Sequence, residues 1–75
     1  MQRLKSLRII QGMKRDELAE KLGVSYGTIA ALEQGSVEPK ASHLLKLSSI
    51  FNVSIDYLLE NEKEIKIIYE KRTRN

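Results

Sequence analysis

The chain has 75 residues, room for one domain and a tail, and at this size only roughly 60% of the surface exposed by the unfolded chain is buried, so stability is marginal unless a partner adds to it. It contains no cysteine and no apolar run near the ~18 residues a membrane-spanning helix needs; this excludes disulfide staples, Cys-ligated zinc and a membrane protein, and points to a soluble protein of a reducing cytoplasm. The formal charge of +3 favours a polyanionic partner only mildly, and residues 1–60 hold eight Lys and Arg against seven Asp and Glu, so a nucleic-acid site must come from local placement of charge.

Leu4, Leu7 and either Ile9 or Ile10 recur at helical spacing and predict a first helix from Arg3 to Gln11, with Lys5 facing water and Gly12 closing it. Met13 packs at the entrance to the next helix. The stretch Lys14 to Gly35, KRDELAEKLGVSYGTIAALEQG, then reads as two short helices with a sharp turn between them. Leu18, Ala19 and Leu22 give the first of these a narrow apolar stripe, and Gly23 follows the last leucine, where a left-handed residue satisfies the final carbonyls. Val24 turns inward, Ser25 caps the second helix, Ile29 and Leu32 repeat its buried face, and Gly35 stops it. Lys14 and Arg15 stand beside a positive helix N-terminus that repels them; a bound phosphate relieves that conflict, and Asp16 and Glu17 compensate the dipole in the free protein. A side-chain cap is missing at Lys14, at a cost of about 1 kcal/mol unless Asp16 or water makes it good.

Residues 41–51 carry Leu44, Leu47 and Phe51, with Leu45 and Ile50 beside them, as the core stripe of a fourth helix, for which Pro39 pre-sets the backbone. Asn52 can end it in the left-handed conformation. Ser54 caps a fifth helix, Ile55 to Leu59, whose Ile55, Leu58 and Leu59 close the core. Residues 61–75 form a tail in which EKEIKIIYEKR reads either as a strand, with Ile65, Ile67 and Tyr69 alternating, or as a helix, with Ile65, Ile68, Tyr69 and Arg72 on one face. Either version leaves apolar groups to be covered by a second copy of the chain, so Ile65, Ile68 and Tyr69 are candidate dimerisation residues.

Two helices joined by a short glycine-containing turn are the layout of a DNA-reading helix-turn-helix. The ordered set DELAEKLGVS, Thr28-Ile29, Leu32-Glu33-Gln34-Gly35, Pro39, Leu44-Leu45-Lys46-Leu47 and Asn52-Val53-Ser54-Ile55-Asp56-Tyr57-Leu58-Leu59 resembles the phage repressor and Cro type (Xre-like) of helix-turn-helix domain, a family of small bacterial and phage regulators. The resemblance covers residues 3–60. It implies an all-α, five-helix lambda-repressor-like domain over residues 1–60, whose third helix, Ser25 to Gln34, enters the major groove. It also implies an ion pair between Arg8 and Glu33, and a dimer surface that includes Tyr57 and Leu58. Candidate base contacts on the reading helix are Tyr26, Gly27, Thr28, Ala30 and Ala31, the positions that packing by Ile29, Leu32 and Glu33 leaves exposed. Candidate backbone contacts are Lys14, Arg15, Ser25, Gln34, Ser36 and Lys40. The sequence departs from the family in two places. Lys14 and Arg15 stand where a polar cap and a phosphate-touching glutamine are usual, and the reading helix lacks the Gln, Arg or Lys that makes bidentate base contacts. Small Gly27, Ala30 and Ala31 instead allow close approach to the groove floor and contact with thymine methyls, with discrimination supplemented by DNA shape.

One histidine, no cysteine and no phosphate-cradling glycine loop leave catalysis, metal and cofactor chemistry without residues to carry them, so the reading is not an enzyme. It is a sequence-specific double-stranded DNA-binding transcriptional regulator, a repressor acting as a homodimer on a palindromic operator, with two reading helices one DNA turn or roughly 34 Å apart. The alternative is a protein-interaction module on the same fold, antirepressor-like or antitoxin-like, docking a protein partner through the alanine-rich face.

Overall fold

A computed structural model describes residues 1–59, which form five helices and no strand: α1 Gln2–Ile10, α2 Arg15–Leu22, α3 Tyr26–Gln34, α4 Ala41–Phe51 and α5 Ile55–Leu59. The all-α, five-helix arrangement implied by the resemblance is the one the described residues adopt. Ile65, Ile68 and Tyr69 of the tail lie outside the described residues.

The core is built on α3. Ile29 and Leu32 from α3, Leu18, Ala19 and Leu22 from α2, Leu4 from α1, Leu47 and Phe51 from α4 and Leu58 from α5 are all buried together. Met1, Leu7, Met13, Val24, Ile50 and Val53 pack around them. Both α1 and α2 lie against α3, α4 lies against α2, and α5 closes on α1 and α4. Full burial of a leucine or isoleucine is worth roughly 1.5–3 kcal/mol. The apolar spacing of each short helix is therefore what assembles the set.

Four expectations are corrected. Neither Ile9 nor Ile10 joins the core; Ile10 is 79% exposed. The helix stops there, and Met13 takes the next apolar place beyond the turn. Leu45 is 62% exposed, because it lies two residues from Leu47 and therefore about 200° away around the helix. Leu58, a candidate dimer residue, is 1% exposed and belongs to the core. Its neighbour Tyr57 remains at the surface, with the Arg3 guanidinium carbon 4.3 Å from its ring centroid. Pro39 also sits earlier than a helix-start residue, two positions before the first residue of α4.

The first four helices share one kind of ending. A residue of positive φ, at Gly12, Gly23, Gly35 and Asn52, reverses the chain, and the following amide reaches back five residues. Those bonds are Met13 to Arg8, Val24 to Ala19, Ser36 to Ala31 and Val53 to Ser48, at 2.9–3.1 Å. At Gly23 φ is +79°, which a side chain adopts only with strain. Gly27 differs: it lies inside α3, and an added Cβ meets only Ser25 Oγ, at 3.9 Å. Gly23→Ala is expected to lower unfolding stability by about 1 kcal/mol, whereas Gly27→Ala raises it by about 0.5 kcal/mol. Urea denaturation of the two variants beside the parent checks both signs.

Candidate nucleic-acid interface

The reading helix is set at its start by Ser25, whose extended backbone places Oγ to accept a hydrogen bond from the Thr28 amide at 3.2 Å. The two hydroxyls also bond each other, at 3.0 Å. Beyond this cap, Ser25, Tyr26 and Gly27 are exposed, while Thr28, Ala30 and Ala31 are half-buried and not fully open as the sequence suggested. The two alanine side chains are too short to clear the neighbouring surface. Gly27, Thr28 and Ala31 line one side of a shallow groove of about 590 Å³, whose other side is Val37, Glu38, Lys40 and His43. Val37 and Glu38 were not singled out from the sequence as part of a site, since only the folding of the α3–α4 connection against α3 brings them there. Gln34, Ser36 and Lys40 are exposed along that connection, and Lys14 is exposed at the start of α2.

Behind the exposed face lies a buried carboxylate. Arg8 Nε donates to Glu33 Oε2 at 2.6 Å and Arg8 Nη2 to Glu33 Oε1 at 3.2 Å, a two-point clasp between α1 and α3. The third arm, Arg8 Nη1, donates to the Met13 carbonyl at 2.8 Å and fixes the chain between α1 and α2. Arg15 then adds a second cation: its Nε donates to Glu33 Oε1 at 3.1 Å. Burial alone would push the Glu33 pKa up, but hydrogen bonds from Arg8 and Arg15, with their charges, outweigh it and hold the carboxyl below its ordinary value of 4.5.

The role of Arg15 was only partly legible. Its Nη1 donates to Tyr26 Oη at 3.4 Å, and its guanidinium carbon lies 5.9 Å from the Tyr26 ring centroid. Arg15 is thus held across the reading helix, with Lys14 the more open of the two cations. The side-chain cap is absent at Lys14, and the start of α2 has only the return bond, in which Glu17 Oε1 accepts from the Lys14 amide at 3.1 Å. Lysine has no acceptor, so this is half of a capping box.

An exposed, small-residue helix backed by a locked core and flanked by cations is the arrangement of a helix-turn-helix reader. The family model described as "Helix-turn-helix" matches residues 4–58. The chain is 35% identical over 68 residues to the uncharacterized HTH-type transcriptional regulator YqaE of Bacillus subtilis, covering 91% of this chain and 59% of that protein. It is 39% identical over 64 residues to the HTH-type transcriptional regulator ImmR of the same organism, covering 85% and 50%. It therefore spans only about half the length of these relatives. A chain of the solved SinR protein/SinI protein complex matches with a TM-score of 0.71 and 28% identity, over 99% of this chain and 79% of that one. The chain belongs to the helix-turn-helix family.

Glu33→Gln leaves two guanidinium groups facing a neutral amide. It is expected to destabilise the domain by about 3 kcal/mol. Because the folded pKa of Glu33 lies below the unfolded one, its stabilisation is complete above the ordinary carboxylate range and is lost as pH falls through the lower folded value. Thermal melts of the parent from pH 7 to pH 3 are expected to show this loss, and Glu33→Gln melts to lack that component.

Proposed function

We propose that the chain is a sequence-specific double-stranded DNA-binding transcriptional regulator, a repressor acting in the cytoplasm as a homodimer on a palindromic operator. The observation that carries this reading is the division of α3. Ile29, Leu32 and Glu33 are buried along its back, while Ser25 at its cap, with Tyr26 and Gly27 in its first turn, faces outward. A helix so divided can enter the major groove without disturbing the core, and Gly27, Ala30 and Ala31 leave no bulk to hold it away from the base edges. Lys14, Arg15 and Lys40, with Ser25, Gln34 and Ser36, supply donors to the sugar-phosphate backbone on both sides. Residues 1–60 serve as the DNA-binding domain. Dimerisation falls to Tyr57 and to the segment 61–75 through Ile65, Ile68 and Tyr69; Leu58 has no part in it. Among the described residues no helix is long and apolar enough to cross a membrane, and no cluster of His, Asp and Glu is placed to hold a metal.

A second reading, a module that docks a protein partner such as an antirepressor, has one observation in its favour. The exposed face of α3 carries no Gln, Arg or Lys apart from Gln34 at its end. The similar SinR chain was solved in complex with SinI protein, which supports a protein partner alongside DNA. Selection from a random duplex pool separates the readings. A DNA reader is expected to enrich a palindrome with an affinity that falls steeply with salt; Lys14→Ala reduces the slope of log K against log salt by about one, and Ala31→Glu abolishes binding. Weak binding without enrichment, unchanged in Ala31→Glu, would leave the docking module.

A further inference from the structure

We infer that Tyr26 reads a hydrogen-bond acceptor on a base edge as a one-way donor, and that Arg15 is the positioning residue that sets its direction. The inference rests on the DNA-reading function proposed above. Tyr26 is the first residue of α3 and is 54% exposed. An unrestrained tyrosine at such a place would sample several rotamers, and its hydroxyl both donates and accepts. Here it is tethered. Arg15 Nη1 reaches Tyr26 Oη at 3.4 Å with the guanidinium beside the ring, while Arg15 Nε is bonded to Glu33 Oε1, which Arg8 holds in turn against α1. The tether therefore runs from an exposed phenol to a buried carboxylate.

A guanidinium carries only N–H groups, so the phenol oxygen must accept from Arg15. Its own O–H is left to donate outward. A cation bonded to the oxygen draws electron density from that O–H and makes it a better donor. In the major groove such a group matches purine N7, guanine O6 or thymine O4, and finds the amino donor of cytosine facing it at that base. Gly27, Ala30 and Ala31 bring no polar side-chain atom to this part of the face, and one of the two hydroxyl protons of Ser25 and Thr28 is spent between them.

The test is selection from a random duplex pool with the full chain, Tyr26→Phe and Arg15→Lys. The parent is expected to disfavour cytosine about tenfold at one position of the half-site. Tyr26→Phe keeps the ring and loses that preference while every other position is retained. Arg15→Lys keeps a cation but loses the two-armed bridge between Glu33 and Tyr26, and relaxes the same position. An unchanged base profile in Tyr26→Phe, or a uniform loss of affinity at all sequences as a phosphate contact would give, overturns the inference and leaves the DNA reader standing. An unchanged profile in Arg15→Lys overturns the positioning role. Failure of the parent to enrich any sequence overturns the proposed function itself.

Discussion

The Glu33 carboxylate, buried and gripped by guanidinium groups from two other helices, is the interaction on which the geometry of the exposed face depends. Leucines can bring three short helices together, but apolar contacts tolerate sliding by fractions of a turn. A charged triad does not, because each donor has to meet a particular oxygen. Its stabilising value is modest, since ions removed from water must first recover their hydration energy. What it fixes is the rotation of α3 about its axis, which decides the residues that face out.

That rotation explains why the outward face can be so plain. A helix held from behind has no need of large side chains in front to anchor it, and Gly27, Ala30 and Ala31 can stay small. The polar reach of the face then falls to Tyr26, which the same triad holds through Arg15. One network thus sets both the depth at which the backbone can approach a partner and the direction of the longest side chain on its approach.

Legibility followed range in sequence. The stops at Gly23, Gly35 and Asn52, the caps at Ser25 and Ser54, and the limits of α4 and α5 were all readable, because each depends on residues within one or two turns. The exposure of Ile9 and Ile10 was not, because which face of a helix is covered depends on its neighbours, whereas that of Leu45 follows from its offset of about 200° from Leu47. Leu58 reads both as a core residue and, through the resemblance, as part of a dimer surface; its burial leaves the first role alone. Arg15 announced a cation at a helix start but not its partners, which lie 11 and 18 residues further along the chain. Its two bonds to α3 follow from α2 lying against α3, a relation carried by Leu18, Leu22 and Ile29.

The recurrent helix ending bears on how quickly the domain can form. Each of the four corners is closed by a bond between residues only five apart, so the path of the chain is largely decided before distant segments meet. Topologies dominated by such local contacts reach the native state in microseconds to milliseconds, since little loop-closure entropy has to be overcome at the barrier. The longer-range bonds to Glu33 are then free to form late, as a final alignment of helices already in place.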